Sequence, residues 1–220
     1  STLGCSMEIP PSFVEQIDFE QCSVFYLCAY MLDAPKMIIH RLLEKLAMPH
    51  FQSISFFFNL SAPFCLGNVQ LIAQLLPRID VIFGNEEESR EFYRKFSNSD
   101  TEPSLFEIAA FMSSHCTGVD QKERVTVITR GNEPTIAWWR GEMHEISLSS
   151  RYPNHPVVDT TGGGDCFAAG FMASFLEQKQ NMSNSCASVD YTECIRKGHE
   201  FAEFIVKVMG IDFTKYPMYQ

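Results

Sequence analysis

Short apolar runs rich in β-branched and aromatic residues alternate with helix-patterned runs along most of the sequence, and this alternation limits the fold more than any other feature. The strand-like runs are CSVFYLCA (22–29), FQSISFFFNL (51–60), IDVIFGN (79–85) and RVTVITRG (124–131). Between them lie helix-like runs over 33–48, 63–77, 86–96 and 104–114. The first begins with Asp33 as a candidate cap and an early proline, and the third has acids first and bases last, as the helix dipole favours. TIAWWRGEMHEISLS (135–149) reads as a hairpin, HPVVD (155–159) as a short strand, and 191–210 as the last helix. Apolar strands alternating with helices imply a mostly parallel sheet covered on both faces, a three-layer α/β/α domain over residues 1–220. Ligands of such sheets sit outside the carboxyl ends of the strands. Asn59, Asn85, Gly131 and the stretch from Asp159 to Asp165 therefore draw attention first.

Composition narrows the partners. The net charge is −10, with 45% hydrophobic and 20% charged residues in 220. Such a surface repels nucleic acid and anionic membranes, so any phosphate site must be local, built from backbone amides or a few cations. Eight cysteines occur without a C-x-x-C pair, mostly inside apolar runs, and read as reduced core thiols of a cytoplasmic protein; a nuclear fraction stays open. NLS at Asn59 and NMS at Asn181 match the glycosylation pattern only weakly. No signal peptide or membrane-length apolar run is present. The chain opens at Ser1 rather than at a methionine, and the expectation is a fragment.

The stretch DTTGGGDCFAAGF (159–171) sets three glycines against a helix start. Ordering consecutive glycines is entropically costly, so the turn needs a reason. Without Cβ atoms, Gly162, Gly163 and Gly164 let the backbone approach a ligand, and their amides join those of the first helical turn as an anion site. Neither G-x-G-x-x-G nor the lysine of G-x-x-x-x-G-K-[ST] is present. Asp165, in the same first turn, would repel phosphate unless it has a task of its own. Accepting a proton from a hydroxyl that attacks phosphorus is such a task, while the amides stabilise charge on the transferred group. An ordinary glycine turn with Asp165 as a capping residue is the plain alternative. The preceding strand end and the hydroxyls of Thr160 and Thr161 favour the chemical reading.

DTTGGGD resembles the D-T-x-G-A-G-D signature of the ribokinase-like sugar and nucleoside kinases. NLSAPF (59–64), VIFGNEEE (81–88), VTVITRG (125–131) and IRKGHEFA (195–202) follow in that family's order, and NLSAPF and FGNE resemble the branch that phosphorylates adenosine. The resemblance runs from about Phe25 to Tyr216. It implies ATP and Mg²⁺ as cofactors, adenosine as the acceptor at its 5′-hydroxyl, and AMP as the product. Asp165 takes the place of the catalytic base, and Gly162 to Gly164 that of the anion hole. Asn85 and Glu88 match an N-x-x-E motif that organises Mg²⁺ and phosphate, largely through water. Thr129 and Gly131 match a T-x-G turn near the ATP phosphates, with Thr160 on the same cofactor side. His199 falls beside the ATP adenine, and Tyr30 or Met31 falls where an aromatic packs on the nucleoside base. Plainer roles stand beside these: Asn85 and Glu88 as a capping box, Thr129 as a strand residue, and His199 as a surface or core histidine.

Two departures from the family stand out. Gly163 replaces an alanine, and CAYM replaces an A-G-F-F stretch. The family's N-terminal part, with its small lid, di-glycine motif and ribose-gripping aspartate, has no counterpart in these residues. The expectations are a core lacking the N-terminal strands and lid, and a monomer when full length. Another nucleoside or sugar kinase and a non-catalytic nucleotide-binding form remain alternatives.

Overall fold

The computed structural model describes residues 9–10, 12–33, 36–97, 99, 101–115, 124–147, 156–182, 188–208 and 210, with the backbone alone at Lys36, His50 and Gln52. The chain divides into two compact units, Ser1–Arg130 with Ile136–His144, and Gly131–Thr135 with Glu145–Gln220. In chain order the described elements are α1 (Ser12–Glu15), β1 (Val24–Cys28), α2 (Lys36–Leu46), β2 (Ser55–Asn59), α3 (Val69–Leu75), β3 (Val81–Asn85), α4 (Glu86–Phe96), α5 (Leu105–Ser114), β4 (Val125–Arg130), β5 (Glu133–Trp139), β6 (Glu142–Ile146), α6 (Gly163–Asn181) and α7 (Tyr191–Val206). The six strands form one sheet in the order β1-β2-β3-β4-β5-β6.

The first four strands run parallel, with Cys28 opposite Asn59, Asn59 opposite Phe83, and Asn85 opposite Thr129. Helices in each crossover supply the length that a parallel return needs. Phe56, Phe57, Phe58, Ile82, Val127 and Ile128 are fully or nearly fully buried, as expected of strands covered on both faces. Between β5 and β6 the chain reverses at Arg140 and Gly141, both at positive φ (55° and 72°), the twist that two-residue hairpins favour. The expected hairpin is present. Trp139 is buried and stacks on His144 at 3.5 Å, while Trp138 is partly buried against the core.

Helix starts follow from local chemistry. Ser104 and Glu107 form a capping box on α5, and Asn68 caps α3. Three sequence expectations need correction. The helix expected over 63–77 is a 3-10 turn at Pro63–Gly67, a fresh start at Asn68, and α3. Pro63 fits the first turn of a helix, but Gly67 and the Asn68 cap restart the chain rather than continue it. No strand forms among the described residues of 155–159. Val157 and Val158 are 62% and 47% exposed, and the amides of Val158 and Asp159 donate to the Val206 carbonyl at 2.8 and 3.2 Å. That carbonyl ends α7, which stops short of 210, and helix-end carbonyls need such partners.

One buried cation was not anticipated. Arg124 is 1% exposed; its Nη1 donates to the carbonyls of Met112 and His115 at 2.6 Å each, and its Nη2 to that of Leu76 at 2.8 Å. It satisfies carbonyls at the end of α5 and ties them to the segment after α3. In the second unit, α6 and α7 meet at glycines. A Cβ on Gly170 would lie 2.6 Å from the Lys197 carbonyl, and one on Gly198 2.8 Å from that of Phe167. Among the described residues Cys22, Cys65, Cys166 and Cys194 are free thiols. Burial pushes the thiols of Cys65 and Cys194 up to about 11, so they are inert at neutral pH. Among the described residues no helix is long and apolar enough to cross a membrane.

Candidate active site

In the first unit the polar residues collect at the carboxyl ends of β2, β3 and β4. Asn59 is 8% exposed. Its Nδ2 donates to the Tyr26 hydroxyl at 2.9 Å and its Oδ1 accepts from the Ser61 amide at 3.0 Å. Ser61, at φ 64°, donates its hydroxyl to the Asn59 carbonyl (3.1 Å) and accepts from the Ala29 amide (3.0 Å). The NLS triplet is therefore a locked turn that ties β2 to the end of β1, not an exposed glycosylation acceptor. Just past β1, Tyr30 is 40% exposed with its ring 5.8 Å from that of Phe64, which is 66% exposed. Met31 packs on the core instead. Of the two candidates for a base-packing residue, Tyr30 is the one presented outward.

Asn85 ends β3 and caps α4. Its Oδ1 accepts from the Glu88 amide at 2.9 Å. Glu88 Oε2 accepts from the Asn85 amide at 2.9 Å, and its Oε1 from Asn85 Nδ2 at 2.8 Å. Glu88 is buried at 6%. The capping box is complete, so the N-x-x-E residues serve the helix start in this state. Both are hard oxygen donors, but direct ligation of Mg²⁺ would break the box. Among the described residues no three His, Cys, Asp or Glu side chains converge to hold a metal ion. A Mg²⁺ that keeps most of its waters and binds phosphate oxygens, touching Asn85 and Glu88 through water, fits this donor set. Thr129 sits opposite Asn85, its Oγ1 donating to the Gly84 carbonyl at 3.5 Å. Arg130 follows it, and its Nε donates to Glu86 Oε1 at 2.5 Å.

The second unit carries the glycine turn. Gly131, at φ 62°, lies at its chain start. Asp159 Oδ1 accepts from the Thr161 amide at 2.9 Å, and this bond first, with the Thr161 hydroxyl second, holds the Asp159 carboxyl below its usual range. The Thr160 carbonyl accepts from the Gly163 amide at 3.1 Å. The three glycines are there for different reasons. Gly162 caps α6 at φ 78°, a left-handed backbone that strains other residues. A Cβ on Gly163 would stand 3.1 Å from Val206 Cγ1. An alanine there would require the Val206 side chain to give by a few tenths of an ångström. A Cβ on Gly164 would meet nothing within 4 Å. Packing among the described residues does not require glycine there. Asp165 is exposed in the first turn of this 19-residue helix. Its charge adds to burial in raising the neighbouring Cys166 thiol. His199 Nε2 lies 2.8 Å from the Thr135 hydroxyl, and its ring meets Phe167 edge-on at 5.1 Å. Burial lowers its pKa to about 4, so it is a neutral hydrogen-bonding imidazole at pH 7.

A parallel sheet with polar strand ends and a glycine turn opening a long helix define an α/β protein of the ribokinase-like fold. The chain belongs to the pfkB family of carbohydrate kinases, whose model matches residues 8–216. It is similar to adenosine kinase 2 of Arabidopsis thaliana, with 28% identity over 201 residues, 90% of this chain and 53% of that protein. It is also similar to the adenosine kinase of Schizosaccharomyces pombe, with 33% identity over 153 residues, 69% of this chain and 41% of that protein. Among solved structures, the adenosine kinase of Schistosoma mansoni in complex with adenosine in occluded loop conformation shares the fold with a TM-score of 0.77 at 21% identity, over 97% of this chain and 60% of that one. The Anopheles gambiae adenosine kinase in complex with P1,P4-di(adenosine-5) tetraphosphate gives a TM-score of 0.75 at 24% identity, over 92% and 57%. The chain spans about half the length of the curated relatives it matches.

Arg124, the Val206–Gly163 contact and the Arg130–Glu86 pair escaped the sequence reading.

Proposed function

We propose that this chain carries the nucleotide-binding and catalytic part of an adenosine kinase, which transfers the γ-phosphoryl group of ATP to the 5′-hydroxyl of adenosine and yields AMP for purine salvage in the cytoplasm. The new bond joins the 5′-oxygen to the γ-phosphorus while the bond to the β,γ-bridging oxygen breaks, and ADP leaves. Asp165 takes the proton of the attacking hydroxyl. The turn Gly162–Gly164, through its amides other than that of Gly163, which the Thr160 carbonyl takes, stabilises negative charge on the group in flight together with the α6 dipole. Thr129, Gly131 and Thr160 hold the ATP phosphates, His199 stands by the adenine of ATP, and Tyr30 packs on the adenosine base. Mg²⁺ bound with ATP neutralises phosphate charge, and Asn85 and Glu88 order the water around it.

The observation that carries this reading is Gly164, a glycine with open space at its Cβ position, on the first turn of the helix that bears Asp165. The likeness to adenosine kinases supports adenosine as the acceptor. The family's name leaves a carbohydrate acceptor as the second reading. Both are tested by transfer of labelled phosphate from ATP to a panel of nucleosides and sugars. The 220-residue chain is assayed alone and joined to the stretch of a relative that it does not span. The joined form is expected to label adenosine, and the chain alone to bind ATP weakly without turnover, because transfer depends on positioning both substrates. Labelling of sugars but not of adenosine would refute the adenosine assignment.

A further inference from the structure

The carboxyl ends of β3 and β4 lie side by side, with Asn85 opposite Thr129. The next residue of each strand end, Glu86 and Arg130, form an ion pair whose side chains are 41% and 23% exposed. Glu86 opens a first helical turn with three consecutive carboxylates in a chain of net charge −10. Asn85 donates to both carboxylate oxygens of Glu88, Arg130 engages Glu86, and Glu87 is exposed. Stability gives little reason for the arginine, since partly solvated ion pairs contribute little and a helix N-terminus already favours acids. An incoming anion gives a better one: at the ligand end of the sheet, an uncompensated Glu86 would repel it.

We propose that Arg130 is a positioning residue which, by pairing with Glu86, cancels a carboxylate at the strand ends and so sets the affinity for the polyphosphate tail of a nucleotide. The proposal rests on the kinase reading above, which assigns the residues on either side of Arg130, Thr129 and Gly131, to the ATP phosphates. The repulsion removed scales with ligand charge, so the effect must be graded: largest for MgATP, smaller for MgADP, and absent for adenosine.

Titration calorimetry of the joined form and its variants with MgATP, MgADP and adenosine tests this, with circular dichroism to verify folding. Arg130→Met should weaken MgATP binding about tenfold and MgADP about threefold, and leave adenosine unchanged. Arg130→Lys, which keeps the charge, should stay within about twofold of the wild type, and so should the double variant Arg130→Met/Glu86→Gln. Glu86→Gln alone should tighten MgATP or leave it unchanged, and added salt should narrow all gaps. A double variant as weak as Arg130→Met overturns the proposal and makes Arg130 a direct phosphate ligand. Equal losses for all three ligands overturn it in favour of a purely structural role. Normal MgATP affinity in Arg130→Met refutes this inference alone, whereas a wild type that binds no MgATP refutes the kinase reading and the inference with it.

Discussion

Alanine substitutions at three adjacent glycines should give three different results. Gly164→Ala places a methyl where nothing lies within 4 Å. In a helix the change removes unfolded-state freedom and stabilises by about 0.5–1 kcal/mol. For a chain of this length that is a rise in Tm of about 1–4 °C. On the proposed mechanism the same methyl obstructs approach of the transferred phosphoryl group to the amide, so turnover should fall by at least about tenfold, toward the ~10²-fold typical of losing one charge-stabilising donor. Gly162→Ala forces a side chain onto φ 78° and should cost about 1–2 kcal/mol. Gly163→Ala meets Val206 at 3.1 Å, where the methyl must push a flexible side chain aside, and should be nearly neutral when combined with Val206→Ala. Thermal unfolding by differential scanning calorimetry gives the stabilities, and steady-state rates of the joined form give turnover. A Gly164→Ala protein with raised Tm and undiminished turnover would show that no phosphate approaches this turn. One with lowered Tm would show that the open space is not there.

Acidification should destabilise the protein through His199. Its folded pKa of about 4 lies below the ordinary value, so its contribution is complete above pH 6.5 and is lost as pH falls toward 4, at most about 3 kcal/mol; His199→Gln should flatten that part of a stability-against-pH curve. Gly198→Ala brings a Cβ within 2.8 Å of the Phe167 carbonyl, and overpacking of about 1–3 kcal/mol should outweigh a helix-propensity gain of at most ~1 kcal/mol; an unchanged or raised denaturation midpoint would contradict the close crossing. Glu88→Ala removes half of a capping box and should cost about 0.5–2 kcal/mol. If Glu88 also orders water around the metal, the Mg²⁺ concentration for half-maximal rate should rise as well, whereas an unchanged requirement would leave capping as its whole role.

Much of this was legible because parallel strands buried on both faces read as unbroken apolar runs, as β2 and β3 do, and because Asn85 and Glu88 announce a helix start by their spacing alone. What failed depended on partners distant in sequence. The valines of 157–158 have the residue types of a strand, yet the amides of Val158 and Asp159 go to the end of α7. Gly163 stands close to Val206, a contact that no local pattern announces. Arg124 reads as an ordinary strand-edge charge; only the folded chain brings the Leu76 carbonyl, 48 residues away, to its guanidinium. The site behaved likewise: residue types and order were readable, but which of Tyr30 and Met31 faces outward was decided by core packing.

The central claim is that Asp165 removes the proton from the adenosine 5′-hydroxyl while the glycine turn holds the phosphoryl group. Its most direct test is Asp165→Asn in the joined, catalytically complete form, with kcat for adenosine phosphorylation and the dissociation constant of MgATP measured on the same preparation. The account predicts a fall in kcat of at least ~10²-fold with MgATP affinity changed much less. A variant that turns over adenosine at a near-normal rate, or loses MgATP binding in proportion to its rate, would contradict it.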